Sequence, residues 1–211
     1  MMATRVELFV DYENVRHGAR EVFGDPRRAP SLFGHVLPQR LGVLVTQLGE
    51  AVDPDRKLTG VTVYRGRPGP KSGPKRQSEF ARRVAAWEAQ PLVSVKTRPL
   101  RYHVAGRDNG GRAVAWRPQE KGIDVLMALD IAIGARDDLY DVAVVASEDS
   151  DLVPAVEAAL DAGKRVETAM WWSPAEPRRR LRVPGHNVWN HKLDERKFVH
   201  LRDDTDYLAL S

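Results

Sequence analysis

Residues 142–154 read VAVVASEDSDLVP, a five-residue apolar run that stops in a cluster of hydroxyls and carboxylates. Ser147, Glu148, Asp149, Ser150 and Asp151 follow one another directly. Carboxylates this close repel and raise one another's pKa unless a cation lies between them. An all-oxygen cluster favours Mg²⁺ or Mn²⁺ over zinc. The chain has no cysteine, which excludes a disulfide framework, a thiolate metal site and a cysteine nucleophile. Its six histidines are scattered and read as structural or surface residues. Helix capping is the simpler role for Ser150 or Asp151, worth about 0.3–1 kcal/mol for an acid in a first turn. Capping explains any one of these residues more easily than all of them.

The elements around the cluster must bring further acids to it. Val142–Ala146 is unbroken aliphatic sequence, which suits a strand buried on both faces of a parallel sheet. In such sheets, ligands bind beyond the carboxyl ends of the strands. Residues 5–10, RVELFV, read as a second buried strand ending at Asp11, with Tyr12, Glu13, Asn14 and Val15 turning into a helix. If the two strands lie side by side, Asp11 and Asn14 share one crevice with Asp149. A cap is the plain alternative for Asp11. Residues 121–135, KGIDVLMALDIAIGA, have helical apolar spacing, and Asp124 interrupts the stripe near the start. A buried carboxylate there is expensive unless paired, with Lys121 for instance, or metal-bound. Asp130 lies six positions on, about 240° round the helix, and is read as a packing acid.

The remaining pattern fits one α/β domain. The 211 residues are 42% hydrophobic and 29% charged, with 33 basic and 29 acidic residues. Spacing predicts helices over residues 32–48 and 78–87, strands over 58–64, 92–96 and 165–170, and a helix with Leu152, Val153, Val156 and Leu160 on its stripe and Pro154 in its first turn that closes at Gly163. Residues 25–30, DPRRAP, read as a loop, and residues 65–76, RGRPGPKSGPKR, as an exposed flexible cationic one. Residues 99–116 suggest a basic β-hairpin turning at 108–111, with Tyr102 and Trp116 available for base stacking. Arg178, Arg179, Arg180 and Arg182 form a basic face. One or two short edge strands are expected over 187–200, including 198–200, and a loosely attached tail over 202–211. The expected fold is a three-layer α/β sandwich with a central, mostly parallel sheet and a basic β-hairpin insertion. No apolar run approaches a membrane span and residues 1–10 lack a signal-peptide core, so a cytoplasmic protein with no membrane partner is expected. No GxGxxG follows the first strand, which argues against dinucleotide binding.

Three segments in this order, VDYEN (10–14), KGIDVLMALD (121–130) and VVASEDSDLVPAVEAALDAGKRV (144–166), resemble the NYN-domain family, PIN-like ribonucleases of the LabA type. The resemblance spans residues 5 to about 201, giving an NYN/PIN-like nuclease domain over 1–201 and a C-terminal tail over 202–211. It implies RNA phosphodiester hydrolysis with Mg²⁺ or Mn²⁺ held by Asp11, Asp124, Asp149 and Asp151, and with Asn14 and Ser147 as polar members of the site. RNA would be gripped by Lys71, Lys75, Arg76, Arg98 and Arg101, whose phosphate contacts position a strand without reading its sequence. One departure is Glu148, where the family commonly has glycine. It keeps open the alternative of a catalytically weak or inactive RNA-binding module. A second copy of the chain is the other partner to be considered.

Overall fold

Val142, Ala143, Val144, Val145 and Ala146 form a strand with every residue buried, as unbroken aliphatic sequence in a sheet covered on both faces requires. The computed structural model describes residues 3–24, 33–107, 113–175 and 180–209. In chain order the strands are β1 (Thr4–Asp11), β2 (Arg56–Arg67), β3 (Val93–Pro99), β4 (Arg101–Arg107), β5 (Ala113–Gln119), β6 (Val142–Ala146), β7 (Arg165–Trp171) and β8 (Trp189–Leu193). The helices are α1 (Tyr12–Phe23), α2 (Pro38–Gly49), α3 (Pro74–Glu88), α4 (Ile123–Arg136), α5 (Val153–Asp161) and α6 (Glu195–Leu201). The main sheet has the order β3-β2-β1-β6-β7-β8, and all its neighbouring pairs are parallel. Strands β4 and β5 form the separate antiparallel hairpin.

Two apolar clusters make the outer layers. One face packs Tyr12 and Val15 of α1, Leu41 and Val45 of α2, Trp87 of α3, and Phe198 and Leu201 of α6. The other packs Ile123, Met127 and Ile131 of α4 with Ala155, Val156 and Ala159 of α5. The chain leaves β1 toward β2 on one side and enters β6 on the other, so the order reverses between β1 and β6. In open α/β sheets this reversal opens the ligand crevice. Val10 pairs in register with Ala146, which brings Asp11 and Ser147 to the same edge of neighbouring strands.

Several sequence expectations need correction. Residues 198–200 lie in α6: the Asp194 side chain accepts from the Lys197 N–H, and Phe198 and Leu201 share the buried face. Strand β2 runs on to Arg67, so Arg65 is buried in the sheet, and α3 begins at Pro74, so Lys75 and Arg76 stand on a helix's first turn. Helix α2 starts at Pro38, because Val36 is taken up in a bridge with Arg202. The last residues are better anchored than their composition suggests. Tyr207 is buried and donates to Asp203 at 2.8 Å, and the Arg83 guanidinium lies 4.9 Å from its ring centroid. The loop at 25–30, the turn at 108–111, Arg178 and Arg179 lie outside the described residues.

Candidate functional site

Asp11 ends β1, and the first turn of α1 follows at once. Its carboxylate accepts from the Asn14 N–H at 3.1 Å through one oxygen and from the Ser147 hydroxyl at 3.1 Å through the other. Ser147 in turn accepts from the Asp149 N–H at 3.1 Å, and Asn14 Oδ1 accepts from the Glu148 N–H at 3.2 Å. These bonds lace the end of β1 to the end of β6. Asp11 and Asp149 are both caps, Asp149 accepting from the Asp151 N–H at 2.9 Å. Capping and membership of the crevice are therefore held by the same carboxylates.

Asp11 is 6% exposed, and burial pushes its carboxyl up to about 7. The Asn14 N–H partly offsets that rise, while the charges of Glu120 and Asp124 add to it. Asp124, in the first turn of α4, is raised by burial and then by Asp149 and Asp151. Lys121 makes no ion pair with it among the described residues. Asp130 faces elsewhere, accepting from Tyr64 at 2.6 Å and from Lys96 at 2.7 Å, as its position round the helix implies. Asp124 thus stands between the two strand ends, its charge felt by Asp11 on one side while it feels Asp149 and Asp151 on the other. Among the described residues, no three acids or histidines are drawn together into a finished metal cage.

Glu120 belongs to this group and escaped the sequence reading. It accepts from the Gly66 N–H at the end of β2, and burial raises its carboxyl. A Cβ on Gly66 would lie 2.3 Å from Leu100 Cδ2 and 2.9 Å from Glu120 Cγ, so glycine is what lets the segment before α4 approach β2. The available signal was an acid four positions before Asp124, just ahead of a helix start. Glu13 is set apart from these acids. Burial would raise it, but a hydrogen bond from His17 and the charges of Arg65 and Arg16 hold it well below the usual range.

The basic residues divide. Arg65 is consumed structurally, paired with Glu13 at 2.9 Å and lying over the rings of Tyr12 and Phe80. Lys71, Lys75, Arg76, Arg98 and Arg101 are exposed, on or beside the β2–β3 side of the crevice. Lys71 Nζ sits 3.3 Å from the Trp116 ring centroid, and Tyr102 hydrogen-bonds Gly69 N–H at 2.7 Å and Ser72 Oγ at 2.5 Å. Tyr102 and Trp116 thus pin the hairpin to the turn at Pro70–Ser72.

A parallel α/β sandwich with carboxylates gathered at its switch point is the arrangement of a PIN-like nuclease domain. The NYN domain model matches residues 5–181, and the chain belongs to that family. Among solved structures, a protein of unknown function, VPA0982 from Vibrio parahaemolyticus RIMD 2210633, is similar in fold. The TM-score is 0.52 and the identity 17%, over 92% of this chain and 94% of that one. No curated protein matches. Among the described residues, no helix is long and apolar enough to cross a membrane.

Proposed function

We propose that the chain is a metal-dependent endoribonuclease that hydrolyses RNA phosphodiester bonds at the crevice beyond β1 and β6. The observation that carries this reading is Asp11, buried at the end of β1 and bonded to Ser147 at the end of β6, where burial and the charges of Glu120 and Asp124 disfavour its ionised form unless a cation is near. A carboxylate so placed is stabilised by a cation, and the all-oxygen donor set suits Mg²⁺ or Mn²⁺. Asp11, Asp124, Asp149 and Asp151 would hold it. When bound, such an ion offsets charge developing on the phosphate and makes a coordinated water more acidic. Ser147 orients Asp11 by donating to it, and Asn14 ties the Asp149 loop to α1. Lys71, Lys75, Arg76, Arg98 and Arg101 position the phosphates, so binding weakens steeply with salt.

Asp11→Asn and Asp149→Asn are expected to abolish cleavage of RNA while circular dichroism shows the fold intact. Metal-dependent cutting that persists in both variants removes the proposal. Glu148 supports a second reading, a non-catalytic RNA-binding module, because a half-buried acid stands where the resembled family commonly has glycine. On that reading RNA binds and is never cut, with either metal.

A further inference from the structure

An open groove of about 1540 Å³ follows the β8 edge of the sheet and reaches Glu148 and Ser150, in the loop that carries Asp149. Aromatic and cationic side chains line it beside aliphatic ones such as Val52 and Val188. Trp189 is 42% exposed, with one ring face toward His191 at a centroid distance of 4.4 Å. Trp172 follows β7, and Lys192 Nζ stands 5.4 Å from its ring centroid. Arg180, Arg182 and Lys192 are exposed, and among the described residues none of them sits in an ion pair. Isolated surface arginines need no explanation, but an open indole bordered by unpaired cations in a groove ending at an acidic crevice is a different matter. Indole faces accept unpaired bases, and cations beside them accept the phosphates between those bases. In a duplex the base faces are already stacked on one another and closed to such contacts.

We propose that the β8 groove is the track along which single-stranded RNA reaches the Asp11–Asp149 crevice. Trp172 and Trp189 stack bases, while Arg180, Arg182 and Lys192 contact phosphates. The choice of RNA rests on the nuclease reading above; the binding itself does not require cleavage. Together with the cations beside β2 and β3, the groove makes the crevice the midpoint of a path with a basic surface on each side.

The test is fluorescence anisotropy on the full chain with a labelled single-stranded RNA of about 12 nucleotides, in chelator so that nothing is cut. Trp189→Ala is expected to weaken binding about tenfold, and Trp189→Phe to restore part of the loss. Arg182→Glu should also weaken binding, and the perfectly paired duplex of the same sequence should bind less tightly than the single strand. Circular dichroism confirms that each variant is folded. Wild-type affinity in both Trp189→Ala and Arg182→Glu, or a duplex bound as tightly as the strand, overturns the track. Cleavage by both Asp11→Asn and Asp149→Asn separates the two readings. If it persists while Trp189→Ala loses affinity, the nuclease reading fails and the track stands. If it is lost while Trp189→Ala and Arg182→Glu bind normally, the track fails alone.

Discussion

Replacing Glu13 by glutamine strands a buried cation. The Arg65 side chain is 11% exposed, and its ion-pair partner is Glu13 at 2.9 Å. Two of its guanidinium nitrogens, Nε and Nη1, have no hydrogen-bond partner among the described residues. The rings of Tyr12 and Phe80, 4.8 and 5.0 Å from its central carbon, offer only partial compensation. Removing one member of a buried pair costs about 3–5 kcal/mol. Glu13 keeps 26% of its side chain exposed and glutamine retains a neutral acceptor, so we expect about 2–3 kcal/mol for Glu13→Gln. Arg65→Met removes the cation and its unsatisfied donors together, and Glu13 still has Arg16 at 2.7 Å, so we expect about 1 kcal/mol. The double variant should then lie near Arg65→Met, with a coupling of about 2–3 kcal/mol. Urea unfolding followed by tryptophan fluorescence, with the slope unchanged among variants, measures all three. The pH dependence is a second readout. Because the Glu13 carboxyl lies below its ordinary 4.5, its stabilisation is present above that pH and is lost as pH falls below it. Glu13→Gln should flatten this acid limb. Effects that add to within about 0.5 kcal/mol, or an unchanged acid limb, refute the reasoning.

Three further outcomes are expected. Phe198→Ala should cost about 3–5 kcal/mol in urea unfolding, because Phe198 is buried with ring centroids 5.4 Å from Phe23, 5.2 Å from Phe33 and 5.4 Å from Trp171. Chelation should stop cleavage and added Mn²⁺ restore it. Mn²⁺ at about 100 times its Kd should also stabilise the wild type by about 2.7 kcal/mol in thermal unfolding, a gain that Asp149→Asn loses. Asp141→Asn tests a pair remote from the site. A hydrogen bond from Arg5 lowers the Asp141 carboxyl from 3.8 to about 2, so its stabilisation is present above pH 3.8 and lost on acidification to about 2. The wild type should be the more stable at neutral pH, and acid-unfolding curves should show the difference closing across that window.

The inner part of the fold was legible because burial on both faces leaves a plain trace. VAVVA carries no polar alternation and RVELFV ends in the unbroken run Leu8, Phe9 and Val10, and the acids that follow them stand at strand ends wherever those strands sit in the sheet. The outer part was not. Strand β2 continues through Arg65 and Gly66, residues that read as loop, because Glu13 and three aromatic rings make a home for the guanidinium that composition does not reveal. Helix α6 has only seven residues, and ERKFVHL shows its buried side only once Phe198 meets Phe23 and Trp171. Glu120 was hidden for a related reason. A lone acid ahead of a helix has no periodic context, and its neighbour Gly66 is 54 positions away.

The reversal of strand order between β1 and β6 separates two kinds of evolutionary freedom. Asp11 and Asp149 hang on the innermost strands and their flanking turns, where the pairing of Val10 with Ala146 brings the two strand ends together. The hairpin lies beyond one margin and β8 forms the other. Insertions at either margin leave that central pairing untouched, so descendants of this chain can acquire new outer surfaces while inheriting the same strand-end carboxylates.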